Sequence, residues 1–86
     1  MTEYAVADES SNQPTIIDAR GLKCPQPVLR ARAALAELHS GDVVELLATD
    51  SHAEIDVTVF CDRTGHLLRS ITQDESGVLH LLIEHA

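Results

Sequence analysis

Two prolines separated by one residue, Pro25 and Pro27, place the strictest limit on how this chain folds. They follow a short β-branched run at 15–19, which predicts a strand, and they precede a segment with a helical pattern. Proline fixes its own φ and disfavours the helical region for the residue before it. We therefore expect regular helix to begin at Pro27, a suitable first helical position, after a loop that leaves the strand.

The helix predicted after this loop has an apolar stripe with three- and four-residue spacing. The stripe consists of Val28, Ala31, Leu35 and Leu38. Gly41 is predicted to end the helix as its left-handed cap. The apolar run at 43–48 then predicts a strand that is buried on at least one face. Further on, strand patterns at 67–72 and 78–83 flank a turn at 74–77, which is typical of a hairpin.

The segment between these strands, at 51–63, carries two conflicting signals. Ser51 and Glu54 match a helix capping box, in which the serine accepts from a backbone amide and the glutamate reaches back. The run at 55–59 instead alternates like a strand and is rich in β-branched residues. The residues alone give the order strand, helix, strand, ambiguous segment and hairpin, which fits one sheet with helices on one face.

The length of 86 residues fits one small domain. Residues 1–14 are mostly polar and acidic, so we expect a disordered acidic tail before a single domain at 15–86. The sequence shows no secretory signal and no apolar run of membrane-spanning length, which predicts a cytoplasmic protein that does not bind membranes. The formal net charge of -8 and the presence of only one Tyr, one Phe and no Trp argue against direct nucleic acid binding.

A cysteine occupies the junction between the first strand and the first helix. Cys24 directly precedes Pro25, and four of the six Lys and Arg residues lie nearby: Arg20, Lys23, Arg30 and Arg32. The partial positive charge of a helix N-terminus and these cations would favour the thiolate. We therefore expect Cys24 to be an exposed nucleophile with a moderately stabilised thiolate. A solvated helix face that carries arginines by chance is the alternative interpretation of the same charges.

The remaining candidate groups favour structural roles. Cys61 lies beside Phe60 in an apolar stretch, which predicts a core thiol, although a reversible disulfide with Cys24 in a thiol redox protein is the alternative. The five histidines form no ligand spacing with either cysteine, so we expect no metal site. Gly21 is expected to supply a positive φ or a close approach of the backbone. Asp18 is expected to end the first strand or to bind loop amides.

The run 21–27, Gly-Leu-Lys-Cys-Pro-Gln-Pro with Asp18 before it, resembles the signature of the TusA/SirA family of small sulfur-carrier proteins. The likeness covers roughly 16–83 and continues at 40–42, 48–50, 56–61 and 64–66. It implies an α+β fold, a two-layer α/β sandwich in the order βαβαββ, with two helices on one face of a mixed four-stranded sheet. It also implies a helix from about 51 to 63. The family usually has prolines where this chain has Ser51 and Thr58.

The resemblance also implies a function. Cys24 would carry sulfur as a covalent persulfide, with no separate cofactor. It would take this sulfur from a cysteine desulfurase or a rhodanese-type protein and hand it to an acceptor protein. The chain would perform sulfurtransferase half-reactions without being a stand-alone enzyme. The pathway stays open among tRNA thiolation, cofactor biosynthesis and dissimilatory sulfur oxidation. A regulatory or adaptor module of the same fold, which transfers no sulfur, is the alternative.

The residues near the thiol are expected to have supporting roles, which follow from their charges and from the backbone conformations that they favour. The residues expected to shape the site are Gly21, Leu22, Lys23, Pro25, Gln26 and Pro27. The residues expected to support the thiolate and to dock partners are Arg20, Arg30 and Arg32.

Overall fold

A computed structural model describes residues 13–86, which form four strands and two helices in the order βαβαββ. The elements are β1 (Thr15–Ala19), α1 (Gln26–Ala36), β2 (Val43–Ala48), α2 (His52–Thr64), β3 (Leu67–Gln73) and β4 (Leu79–Glu84). The tail predicted at 1–14 lies outside the described residues except for its last two. Within residues 13–86, no helix has the length and apolar character needed to cross a membrane.

The four strands form one mixed sheet in the order β1-β2-β4-β3. Strands β1 and β2 are parallel and end together, with Ala19 opposite Ala48. Such a pair requires a crossover connection, which α1 provides. Strand β4 runs antiparallel to both of its neighbours, and the register of its pairing with β3 shifts between Leu68 and Ser70. This irregularity lies on an outer strand of the sheet.

Both helices pack on one face of the sheet, α1 against β1 and β2, and α2 against β3 and β4. The central strands β2 and β4 alternate buried and half-buried residues, so one face of each strand enters the core. The core consists of Ala19, Ala31, Leu35, Val44, Leu46, Ala48, Ala53, Val57, Cys61, Leu79, Leu81 and Ile83. The expected two-layer sandwich is therefore confirmed.

The first helix ends earlier than the apolar stripe, which continues to Leu38, predicts. It begins at Gln26, one residue before the predicted start, and its last residue is Ala36. The N–H groups of Glu37 and Leu38 donate to carbonyls three residues earlier, at 3.1 and 3.0 Å, which tightens the chain out of the α-helix. Gly41 does have a positive φ of 91° but lies beyond this turn, so its assignment as the helix cap is wrong.

The ambiguous segment is a helix, α2, as the resemblance implied. The alternation at 55–59 does not correspond to a buried face, because the buried residues of the helix, Ala53, Val57 and Cys61, are spaced four residues apart. The capping box is also wrong, since Ser51 has helical backbone angles and, in the described structure, makes no side-chain cap hydrogen bond. Asp50 caps the helix instead. Its Oδ1 accepts the N–H of His52 at 2.9 Å, and its carbonyl accepts the N–H of Ala53 at 3.0 Å.

The predicted hairpin is confirmed, with both strands displaced by about one residue at the turn. Its outer face carries an ionic group centred on His80, which is half-buried. The ring nitrogens of His80 lie 2.9 Å from Asp74 and 2.8 Å from Glu45. Hydrogen bonds to these two carboxylates, first Asp74 and then Glu45, raise the pKa of His80. This group ties the hairpin turn to the centre of the sheet.

Gly65 ends α2 in the left-handed conformation, with a φ of 85° and its N–H donated to the Cys61 carbonyl at 2.9 Å. A Cβ at this position meets no atom within 4 Å, so only the backbone conformation opposes a side chain. We expect Gly65→Ala to lower the free energy of unfolding by about 1 kcal/mol. Gly65→Asn should lower it less, because asparagine tolerates this conformation. Urea denaturation measures both, and an unchanged midpoint for Gly65→Ala would contradict the expectation.

Candidate functional site

The site forms where the parallel strands β1 and β2 end side by side. The chain leaves β1 in a turn closed by the Leu22 N–H, which donates to the Ala19 carbonyl at 3.2 Å. Gly21 occupies the third position of this turn with a φ of 81°, which confirms its expected conformation. The N–H of Gly21 donates to Thr49 Oγ1 at 2.9 Å. This bond connects the loop after β1 to the loop after β2.

Cys24 lies in a second turn, directly before α1, and its side chain is exposed as predicted. The turn is closed by the Gln26 N–H, which donates to the Lys23 carbonyl at 2.8 Å, and the Cys24–Pro25 peptide bond is cis. The N–H of Cys24 donates to Asp50 Oδ2 at 2.8 Å. The sulfur is therefore accessible on a turn that the loop after β2 holds in place.

The thiol of Cys24 donates a hydrogen bond to Asp56 Oδ2 at 2.6 Å. Asp56 is a half-buried residue of α2. This hydrogen bond raises the pKa of Cys24, and loss of hydration and the negative charges of Asp56 and Asp50 raise it further. The stabilised thiolate expected from the sequence is therefore wrong, and the protonated thiol is favoured at rest.

Among residues 13–86, no cation counteracts this effect on the pKa of Cys24, and one of the nearby cations is already bound to a carboxylate. Arg20 binds Asp18 through Nε and Nη2, at 2.8 and 2.7 Å. Hydrogen bonds from Arg20 lower the pKa of Asp18 to about 2. The helix N-terminus contributes only about half a unit of positive charge. The carboxylate of Asp56 carries a full negative charge in direct contact with the sulfur, so it dominates the local field.

Asp50 connects the thiol turn to the start of α2. Its Oδ2 accepts the Cys24 N–H, and its Oδ1 accepts the His52 N–H. These two backbone hydrogen bonds lower the pKa of Asp50 to about 2, and the bond from Cys24 has the larger effect. The amide of Cys24 is therefore already bound to a carboxylate and does not stabilise the thiolate of its own residue.

Two concave surfaces flank Cys24. The first has a volume of about 540 Å³ and is lined by Gly21, Leu22, Lys23, Thr49, Asp50, Ser51 and His52. The second, which we call the interhelical groove, has a volume of about 320 Å³ and is lined by Pro25, Val28, Leu29, Arg32, Asp56, Val59 and Phe60. Leu29 and Val59 are 41% and 47% exposed, so the groove presents accessible apolar surface. Lys23 lines the first surface and Pro25 lines the second, so the residues directly before and after Cys24 belong to different surfaces.

The other predicted site residues lie around this arrangement. Gln26 is exposed at the first position of α1, and Pro27 is buried at the second. Arg30 is exposed on the same helix. In the described part of the chain both cysteines are free thiols, and Cys61 is buried, which confirms it as a core residue. Burial raises the pKa of Cys61, and a buried, protonated thiol is a poor redox partner for the exposed Cys24.

The sequence interpretation assigned no role to three residues that build the site, Thr49, Asp50 and Asp56. All three belong to stretches that carried the family resemblance. One further signal was present, since Asp56 is the only charged residue in the run 55–61. A single carboxylate in an otherwise uncharged run indicates a specific contact, because isolated charges are costly to bury.

The chain is similar in sequence and in fold to known proteins. Residues 15–85 match the family model described as sulfurtransferase TusA. Sulfur carrier protein TusA of Allochromatium vinosum is 40% identical over 68 residues, which cover 79% of this chain and 88% of that protein. A relative from Neisseria meningitidis serogroup A is 46% identical over 69 residues, which cover 80% and 92%. The crystal structure of the SirA-like protein from Desulfitobacterium hafniense matches with a TM-score of 0.75 and 32% identity, over 81% of this chain and 95% of that one.

Asp56→Asn keeps the shape of the side chain but removes its negative charge. Because Asp56 is the main cause of the raised Cys24 pKa, we expect this variant to have a lower thiol pKa and more thiolate at pH 7. Ultraviolet absorbance of the thiolate, followed against pH, measures the change, and Cys24→Ser provides the baseline. Asp62→Asn, an exposed position on α2, is the matched control and should titrate like the wild type. An unchanged or higher pKa in Asp56→Asn would show that the contact is not the cause.

Asp50 should make the stability of the fold sensitive to acid. Its pKa is lowered from 3.8 to about 2, so its contribution is fully present above 3.8 and is lost as the pH falls towards 2. We expect Asp50→Asn to be less stable than the wild type at pH 7, with a difference that narrows as the pH falls below about 4. Urea midpoints across this range test the expectation, with Glu54→Gln as the control. A difference that stays constant with pH would rule out this cause.

Proposed function

Because this chain belongs to the TusA sulfurtransferase family, we propose that it is a sulfur carrier that holds sulfane sulfur as a persulfide on Cys24. The observation that carries the proposal is the exposed thiol, which is held on a turn whose residues line two concave surfaces. A carrier thiol has to be reached first by a donor and later by an acceptor, so its sulfur must be accessible. A thiol buried in the core, such as Cys61, cannot meet this requirement.

The transfer chemistry needs only sulfur exchange. In the loading step, the Cys24 sulfur attacks the outer sulfur of a donor persulfide. A new S–S bond forms, the S–S bond of the donor breaks, and its electron pair stays on the donor cysteine as a thiolate. In the unloading step, an acceptor nucleophile attacks the outer sulfur and Cys24 leaves as the thiolate. The sulfane sulfur keeps its oxidation state, so no external oxidant or reductant is required.

The surroundings of the thiol support docking of protein partners. The interhelical groove offers apolar contact through Leu29 and Val59, and Arg32 lines it beside the thiol turn. Arg30 is exposed on the same helix and, with Arg32, complements an acidic partner surface. Arg20 is already paired with Asp18, so its contribution to docking is smaller.

The partners we propose are a cysteine desulfurase or rhodanese-type protein as the donor, and a second protein as the acceptor. The pathway served and the cytoplasmic location stay predictions from the sequence. A regulatory or adaptor module makes a different prediction, since Cys24→Ser would then leave partner binding and cellular activity intact.

The carrier function predicts that the wild-type protein gains the mass of one sulfur atom after incubation with a cysteine desulfurase and cysteine, or with polysulfide. Cys24→Ser should gain none, and Cys61→Ala should behave like the wild type, because Cys61 is buried. Intact-mass spectrometry before and after mild reduction measures the adduct. If the wild type acquires no sulfur from desulfurase, rhodanese or polysulfide, the carrier function is wrong.

A further inference from the structure

A resting thiol that is protonated sets a chemical requirement, because its proton has to leave when the sulfur attacks. In this protein an acceptor already lies at the end of the S–H bond. The Sγ atom of Cys24 is 2.6 Å from Asp56 Oδ2 and donates its hydrogen bond to it. A general base must lie within hydrogen-bond reach of the proton that it removes, about 2.6 to 3.2 Å between heavy atoms. Asp56 meets this condition without any movement of the chain.

We propose that Asp56 is the general base of the loading step and takes the proton of Cys24 as the thiol attacks the donor persulfide. This inference rests on the proposed function, because loading is the reaction that Asp56 assists. Asp56 touches the reacting sulfur, so its role is catalytic in the direct sense.

The step balances with the groups present. The Cys24 proton moves to Asp56 Oδ2 while a lone pair on Sγ forms the bond to the outer sulfur of the donor. The S–S bond of the donor breaks, and its cysteine leaves as a thiolate. The proton on Asp56 then passes to that thiolate. The products are the Cys24 persulfide, the donor thiol and the regenerated Asp56 carboxylate.

The other charged groups around the thiol do not fill this role. Asp50, in the loop before α2, accepts backbone N–H groups with both oxygens, including that of Cys24. Arg32 of α1 lines the same groove as Asp56, but an arginine stays protonated and cannot accept a proton. Lys23, the first residue of the thiol turn, is exposed, and an ammonium group offers only donors.

A base in contact with the sulfur changes how the reaction depends on pH. An isolated thiol reacts only through its thiolate, so its rate falls about tenfold for each pH unit below its pKa. If Asp56 takes the proton during the attack, the pair of thiol and carboxylate is itself reactive. The rate then stays level with falling pH until carboxylates become protonated. The dependence of the rate on pH therefore shows whether Asp56 acts as a base or only suppresses ionisation of the thiol.

The reaction of Cys24 with bis(2-hydroxyethyl) disulfide tests this inference, because the same sulfur attacks an uncharged S–S bond. Formation of the mixed disulfide is followed by intact-mass spectrometry between about pH 5 and pH 9, which spans the neutral operating range. The proteins compared are the wild type, Asp56→Asn and the control Asp62→Asn, with Cys24→Ser giving the background of Cys61. Circular dichroism at each pH establishes that each protein is folded.

We expect a level rate on the acid side for the wild type and for Asp62→Asn. The rate of Asp56→Asn should instead fall about tenfold for each pH unit below its thiol pKa, although this variant holds more thiolate at pH 7. The inference would be overturned if the wild-type rate fell about tenfold per pH unit, or if the rate of Asp56→Asn stayed level with pH. If Asp56→Asn does not fold, the wild-type profile alone decides between these outcomes.

The persulfide-loading assay reports separately on the proposed function. A wild type that accepts no sulfur but keeps a level profile with the disulfide would refute the carrier function and support Asp56 as the base. If the wild type loads sulfur but its rate with the disulfide follows the titration of its thiolate, the carrier function is supported and the role of Asp56 as the base is refuted. The two failures are therefore distinguishable.

Discussion

The parallel pairing of β1 and β2 is the constraint on which the site depends. Parallel strands end at the same edge of a sheet, so the loops after β1 and β2 meet although they are far apart in sequence. Two hydrogen bonds then join these loops, from Gly21 to Thr49 and from Cys24 to Asp50. The second loop leads directly into α2, which carries Asp56 to the sulfur. The crossover through α1 thus determines both where the thiol lies and what surrounds it.

This arrangement gives the site an electrostatic character opposite to that of its own sequence neighbourhood. The residues around Cys24 in the chain are basic, and the residues around it in space include two carboxylates. A full charge in contact outweighs the partial charge of a helix end and the exposed arginines. The result is a thiol that is accessible yet protected from ionisation. A protonated thiol needs a proton acceptor during transfer, which is the role that we propose for Asp56.

Features that depend on neighbouring residues could be predicted from the sequence, and features that depend on contacts between distant residues could not. Strands β1 and β2 were predicted with their observed bounds, because β-branched and apolar runs report local conformation. The helical state of α2 needed the family resemblance, since its alternating residues favoured a strand. The exposure of Cys24 followed from the adjacent prolines. The direction of its pKa shift did not, because it is set by Asp56, 32 residues away in the sequence and close only through the fold.

The outer strand β3 has a consequence for the behaviour of the protein in a crowded cell. Its ladder is interrupted between Leu68 and Ser70, where Arg69 forms an ion pair with Glu84 at 2.9 Å. A broken and charged edge is a poor template for a strand from another molecule. The opposite edge, β1, has only five residues. Both edge strands of the sheet therefore oppose fibril formation. This suits a small protein that must stay monomeric between encounters with larger partners.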